Sequence, residues 1–509
     1  EGRPVGAVQT ALPSAVEAPE DPEPARRVRS LEWPARLLPA LVPGLLMLGV
    51  GLWEAGHPVL SWDEVATMDV ASRSPAQIWH LLHTVDAVFG PYYYLIHFWT
   101  SVAGNTVLDL RLPSIIAMAG SVAVAGELGR RLFTPLIGLV TGLLLCLLPN
   151  TSRYAAEARP YAFACFFSVL ALLLLFRALE RPGVLRWLGY GLAVVFVGLS
   201  HIVALTTLGA HVAVVGFHLW RTRSWRPAVG WGAAVAAALA VMVPVAWLGT
   251  GQQHEQLSWV APLTVAGLRA SPGAIVGSVE AAWLLIGMAV LATWRPARHV
   301  VEVALAALVP LIVVAAVSIL SSPLWVARYM LIVLAPTALL AAVALVGPGG
   351  RRTVLVAVRV AVVLAVVAFA ALPGQRSVRA ANAKNGSDYR GAASVIQRYQ
   401  QPGDGVVYQA RSRTLRAGTG YYLSRDPGKP RDLLLLRTAA ANATLTADEY
   451  PDAAAHVQGV RRVWLLVTGS HSDPTTARRD LRSLLKSQYQ RIGLWHLSRA
   501  TLALFVRRK

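Results

Sequence analysis

Apolar runs about as long as a bilayer is thick alternate along this chain with short basic segments. A membrane-spanning helix needs about 20 mostly apolar residues. Runs of that kind lie near 37–56, 112–130, 132–149, 161–179, 187–201, 203–220, 227–248, 272–294, 300–320, 328–346 and 353–373. The pattern predicts a polytopic α-helical membrane protein of about 11 spans. Segment 92–104 (YYYLIHFWTSVAG) is apolar but short, and reads as an interfacial helix with its aromatic side chains at headgroup level. Residues 1–33 are rich in Pro, Glu and Ala and poor in large apolar side chains, as in a disordered tail. The first apolar run begins late and continues past Trp53 without a small-residue cleavage site, so a retained helix is expected rather than a signal peptide.

From about 375 the pattern changes to charged, polar and Gly/Pro-punctuated sequence. Helical periodicity in 387–400 and 475–489 alternates there with strand-like runs at 405–410, 432–436, 462–468 and 501–506. The expected organisation is therefore a tail (1–33), a transmembrane domain (34–374) carrying a long loop at 57–111, and a separate α/β domain (375–509).

Composition agrees with a membrane protein. The 509 residues are 55% apolar and 15% charged, against about 25% charged in soluble domains, and the mean hydropathy is +0.50. A net charge of +20 would suggest nucleic acid in a soluble protein, but the arginines cluster between apolar runs. Arg130/Arg131, Arg177/Arg181/Arg186, Arg221/Arg223/Arg226, Arg295/Arg298 and Arg351/Arg352 all fall on one side when the N-terminus is placed in the cytoplasm. That counting predicts a multi-pass plasma-membrane protein with a cytoplasmic N-terminus and an extracytoplasmic C-terminal domain, and it argues against nucleic acid as a partner. Cys146 and Cys165 sit within apolar runs and read as packing residues.

Candidate chemistry gathers in two loops on the external side. Ser61-Trp62-Asp63-Glu64 follows the first span, with Asp69, His80, His83 and Asp86 in the same loop. Two adjacent carboxylates there are either solvated loop charges or a reactive pair. Trp62, Tyr92 and Tyr93 add flat apolar surfaces of the kind that receive sugars or lipid. The second loop reads NTSRYAAEARPY, with Pro160 at the first turn of the next helix. Backbone N–H groups near Arg159 and Tyr161 would face an anion there, and an arginine can grip a phosphate with a bidentate fork. Glu157 lies four residues after Arg153, a spacing that equally suits a local ion pair. Other polar residues at external helix ends are His201 and the pair Arg328-Tyr329, where charge near bilayer depth marks either function or a snorkelling anchor. His211 and Glu280, inside apolar runs, read as internal polar pairs.

The stretches SWDEVATM, VDAVFGPYYYLIHFW, RLPSIIAMAGSVAVAGELGRRLF, SRYAAEARPYAF, LSHIVAL and ARYMLIVLAP, over roughly residues 35–345, resemble the GT-C superfamily of polytopic glycosyltransferases. Within it the chain looks like the branch of protein O-mannosyltransferases, the aminoarabinose transferase of lipid A and actinobacterial mannosyltransferase-like proteins. The resemblance implies inverting transfer, mannose favoured, from a polyprenyl-phosphate sugar to an envelope glycan, lipoglycan or protein acceptor. It implies Asp63 as catalytic base with Glu64 as support or as a ligand for donor or metal. It further implies Arg159, Arg328 and Tyr329 at the donor phosphate, and Trp62, Tyr92, Tyr93, Glu157, Tyr161 and His201 around sugar or acceptor. Some members use a divalent cation and others do not, so the resemblance leaves a metal open and no other cofactor follows from it. Two departures stand out. Phe89-Gly90-Pro91 replaces a His-Pro-Pro run, and Arg159 stands where some relatives have an acidic residue. Arabinofuranosyl transfer shares the same donor logic, and a lipid-linked sugar flippase is the reading from another class.

Overall fold

The structure, a computed structural model, describes residues 1–2, 26–294, 296–347 and 353–509. Most of the expected N-terminal tail lies outside the described residues, as do Arg295, Arg351 and Arg352. Among the described residues, seven helices are long and apolar enough to cross a membrane, and two bent pairs bring the number to nine. Apolar helices Arg36–Leu52 and Val184–Ser200 are shorter. These features coincide with the apolar runs of the sequence, and the chain is a multi-pass membrane protein. The first helix starts at Arg26, inside the stretch expected to be a tail, and runs to Leu52.

Two expected spans are broken rather than straight. Pro135–Leu147 meets Pro149–Ala155 at 73°, and Val265–Val276 meets Val279–Thr293 at 93°. Leu148 is extended, and proline follows it where its missing N–H costs nothing. Gly277 takes φ +90°, a conformation that disfavours any side chain.

The bundle is layered. Span Ala327–Val346 is 83% buried and central, whereas Arg226–Thr250 and Val354–Ser377 are 17% buried and peripheral. The first helix, Val107–Leu132 and Pro135–Leu147 approach closely at glycines. A Cβ at Gly126 would collide with the Pro39 carbonyl oxygen, and one at Gly138 with that of Gly126. His211 makes the internal polar contact anticipated for it, with the Tyr190 hydroxyl at 2.9 Å, which also accepts from Trp231 Nε1. Glu280 instead sits in the first turn of its helix and accepts from Ser278 Oγ.

The long loop after the first helix is itself helical: Trp62–Ala71, Pro75–Leu82 and Gly90–Ala103. Capping boxes start the first two. Ser61 Oγ accepts from Glu64 N, Glu64 returns the bond to Ser61 N, and Ser74 and Gln77 do likewise.

The C-terminal domain has strands β1 (Gly405–Tyr408), β2 (Arg431–Asp432), β3 (Leu435–Arg437), β4 (Asp448–Glu449), β5 (Arg462–Thr468), β6 (Tyr489–Leu497) and β7 (Ala500–Arg507). Five form one sheet in the order β2-β1-β5-β7-β6, while β3 and β4 pair separately. β2, β1 and β5 are parallel, and β5, β7 and β6 are antiparallel. Helices Tyr389–Tyr399 and Arg479–Gln488 supply the apolar faces that cover the sheet. On one face, Tyr389, Ile396, Trp464 and Leu502 share a continuous apolar core with Leu60, Val65 and Val107 of the transmembrane half. The domain is seated on the helix that begins at Trp62.

Candidate active site

A cavity of about 1070 Å³ opens between the C-terminal domain and one end of the bundle. Trp62, Asp63, Asp86, Phe89, Arg153, Glu157, Arg159, His201, Arg328 and Tyr329 line it, with Asn385, Arg413 and Leu445 from the C-terminal part. The volume is at the upper end of small-molecule sites, large enough for a sugar with part of a lipid tail.

The adjacent carboxylates separate. Asp63, at the second position of its helix, turns its side chain to the cavity, where it is 40% exposed and stands 3.8 Å from Arg328 Nη1. Glu64, expected beside it as support or ligand, points the other way and is fully buried. Its Oε1 accepts from Arg111 Nε at 2.7 Å, Ala158 N at 3.0 Å and Lys384 Nζ at 2.9 Å. Its Oε2 accepts from Ser61 N and Arg111 Nη2, both at 2.9 Å. No oxygen of Glu64 is left for a substrate or a metal. Burial would raise its pKa, but Arg111, then Lys384, hold it well below the usual carboxylate range.

Arg111 is equally enclosed. Its guanidinium also donates to the carbonyls of Ala55, Pro58 and Val59. It thereby folds the segment before Asp63 onto the start of helix Val107–Leu132.

Arg159 occupies the short loop between Pro149–Ala155 and Tyr161–Glu180. It is buried, lies 4.1 Å above the Phe89 ring, and reaches Thr67 Oγ1 at 3.5 Å through Nη1. Phe89 thus carries a guanidinium where the resemblance would place a histidine nearby. Arg328 is the second residue of the 3-10 turn Ala327–Val333 and lies over Trp259, Tyr161 and Tyr329 at 4.8, 5.6 and 5.7 Å. The Nε atoms of both arginines are buried without a hydrogen-bond partner. His201 and Tyr329 face each other with ring centroids 4.5 Å apart, and Tyr161 lies 5.6 Å from His201.

Glu157 is buried on the cavity wall, 3.9 Å from Arg153, and its Oε2 has no hydrogen-bond partner. Burial raises its pKa, against the pull of Lys384.

Three aromatic candidates stand behind the wall rather than on it. Tyr92 is buried with its hydroxyl 3.3 Å from Ser114 Oγ, and Tyr93 donates to Asp86 Oδ2 at 2.6 Å. Tyr161 backs Arg328 from within the bundle. Of the other polar residues in the first loop, Asp69 pairs with Arg73, and His83 bonds back to the Trp79 carbonyl. Among the described residues no group of three His, Cys, Asp or Glu side chains is placed to hold a metal ion. Arg111, Lys384 and Thr67 were not among the residues singled out from the sequence.

The arrangement offers an exposed carboxylate, Asp63, 3.8 Å from the Arg328 guanidinium, with Arg159 on the same cavity and an unused Nε donor on each arginine. Chemically this suits removing a proton at one point while stabilising a departing anion at another.

The family described as Dolichyl-phosphate-mannose-protein mannosyltransferase matches residues 91–247. Undecaprenyl phosphate-alpha-4-amino-4-deoxy-L-arabinose arabinosyl transferase of Pseudomonas aeruginosa (strain UCBPP-PA14) is 32% identical over 160 residues, 30% of this chain. The match spans only 28% of that relative's length. Among solved structures, ArnT from Cupriavidus metallidurans in the apo state superposes with a TM-score of 0.60 at 13% identity, over 94% of this chain and 98% of that one. The same protein bound to undecaprenyl phosphate gives 0.59 at 14% identity, over 91% and 97%. The chain has the same fold as these ArnT structures.

Proposed function

We propose that this GT-C chain is an inverting glycosyltransferase that moves a sugar, mannose in the favoured reading, from a polyprenyl-phosphate donor to a cell-envelope acceptor. The observation that carries the reading is the convergence of Asp63, Arg159 and Arg328 on one large cavity. Binding of undecaprenyl phosphate by the structurally similar ArnT supports the donor class. The arginine clusters between spans support an extracytoplasmic cavity, with the N-terminus in the cytoplasm.

In the reaction, the acceptor hydroxyl attacks the anomeric carbon from the side opposite the phosphate. Asp63 takes the hydroxyl proton as the new C–O bond forms. The bond between the anomeric carbon and the phosphate oxygen breaks, and polyprenyl phosphate leaves with the electron pair. Arg159 and Arg328 stabilise its growing charge, so no strong acid is needed. Trp62, His201 and Tyr329 present the flat walls on which sugar and lipid phosphate rest. Glu157 supplies an unpaired carboxyl oxygen to a sugar hydroxyl. Glu64 holds the site and does not touch substrate. A divalent cation is not required by these steps.

The test is Asp63→Asn in the full chain, assayed with a panel of labelled polyprenyl-phosphate sugars (mannose, arabinofuranose, aminoarabinose) and an envelope extract as acceptor. Transfer should fall by about 10²–10⁴-fold while donor binding is kept. Turnover at the parent rate removes Asp63 from the base role. Binding of every donor without transfer by the parent chain supports a lipid-linked sugar flippase instead. The donor used fastest assigns the sugar.

A further inference from the structure

Lys384 lies in the short segment joining the last long helix, Val354–Ser377, to the first helix of the C-terminal domain, Tyr389–Tyr399. It is one of four lysines in the chain. It is 2% exposed, and its Nζ donates to Glu64 Oε1 and to the Ala156 carbonyl. The joining segment is laid tightly along the residues before Asp63. Val59 N donates to the Ala381 carbonyl at 2.9 Å, and a Cβ on Gly386 would run into the Leu60 carbonyl oxygen.

Glu64 by itself does not call for this lysine. Glu64 already has a complete partner in Arg111, which grips it through two nitrogens. Lys384 also offsets the second buried carboxylate, Glu157, but that alone does not require it to bond to Glu64. What Lys384 adds is connection. Glu64 follows Asp63 on one helix, while Ala156 lies three residues before Arg159 in another loop. One ammonium group bonds to both, and it comes from the root of the C-terminal domain.

On the reading of Asp63 as base and Arg159 as phosphate ligand, we propose that Lys384 is a positioning residue. With the C-terminal domain seated, it fixes the Asp63 helix to the Arg159 loop at the spacing that transfer requires. The groups facing it are Glu64, Glu157 and Arg111. Burial brings its pKa down to about 8, with Arg111 adding to the fall and Glu64 and Glu157 opposing it. Its charge, and the clamp, therefore weaken as the pH rises past that value.

The test uses Lys384→Met and Lys384→Arg in the full chain. Lys384→Met keeps the Glu64–Arg111 pair and should fold. Its kcat should drop on the order of 10²-fold, as for a small misplacement of reacting groups, with donor KM changed by less than about threefold. Lys384→Arg should recover most of the rate and carry the alkaline limb of the pH profile upward, because an arginine keeps its proton. Parent-like kcat in Lys384→Met, an inactive Lys384→Arg, or an unmoved alkaline limb each overturns the proposal. Hydrogen exchange supplies a readout independent of turnover. In Lys384→Met, peptides covering 61–67 and 156–160 should exchange about tenfold faster, with the remaining bundle unchanged. Unaltered exchange there overturns the positioning role whether or not any sugar is transferred. Absence of transfer by the parent chain overturns only the proposed function.

Discussion

Replacing Glu64 by Gln tests whether the hidden member of the carboxylate pair is a structural hub. Every neighbour of its two oxygens is a donor: Ser61 N, Ala158 N, Lys384 Nζ and two nitrogens of Arg111. An amide of the same shape must turn its own N–H₂ toward some of those donors, and it no longer balances Arg111, which has no exposed surface. Removing one partner of a buried ion pair costs about 3–5 kcal/mol, a large share of the ~5–15 kcal/mol that holds a typical domain folded. Glu64 has its pKa lowered by folding, so its contribution is complete above the ordinary carboxylate value of about 4.3 and is lost only as the pH falls below that range. Glu64 itself stays ionised between about pH 6 and 8, but Lys384, whose charge it supports, loses its proton at lower pH in Glu64→Gln than in the parent, so the deficit should be largest near pH 6 and shrink toward pH 8. The measurement is unfolding in mixed micelles, followed by tryptophan fluorescence. A loss under about 1 kcal/mol at pH 6 would refute the hub, as would a deficit that grows toward pH 8. Asp63→Asn is the control. Asp63 is 40% exposed and only loosely paired with Arg328, so its removal should leave stability within about 1 kcal/mol.

Two further outcomes are expected. Arg159→Ala should weaken binding of polyprenyl phosphate by about 10–100-fold, the worth of a lost charge-assisted hydrogen bond, as read by direct titration of the lipid; unchanged affinity would remove Arg159 from the phosphate site. Gly386→Ala places a methyl against the Leu60 carbonyl. It should loosen the joining segment and lower kcat in the same direction as Lys384→Met, with donor binding intact; parent-like kinetics would show that this close approach has no bearing on the site.

The transmembrane layout was legible because hydropathy over some twenty residues is a strong, local signal. Direction was not. A hydropathy window reads 132–149 and 272–294 as straight spans, although Pro149 and Gly277 already marked the breaks. In the C-terminal domain β5, with its central residues buried, was plain from RVWLLVT, and β1 from GVVY. β6 was missed because an edge strand with one exposed face, YQRIGLWHL, carries arginine, glutamine and a bulge at Ile492 beside a glycine among its apolar residues. The helix Leu415–Leu423 was missed for lack of any strong periodicity in LRAGTGYYL.

The site was legible in its parts more than in its assembly. Asp63, Arg159, His201 and Arg328 each stood out as charged or polar groups at helix ends, and the fold brings them to one cavity. Arg111 sat in view inside RLPSIIAMAG, a charge at the start of a span, yet its partner lies 47 residues away, and Lys384 lies 320 residues from Glu64. Periodicity and spacing carry no information over such distances. One local signal, unused in the sequence expectations, could have separated the two carboxylates. Ser61-Trp62-Asp63-Glu64 has the Ser-x-x-Glu form of a capping box, which commits the glutamate to the backbone of its own helix. Successive helical residues point about 100° apart, so once Glu64 closes the cap and faces Arg111, Asp63 must face elsewhere. The neighbouring acids therefore divide the work between them. The one that caps holds the helix still, and the one left facing the cavity is available to take a proton.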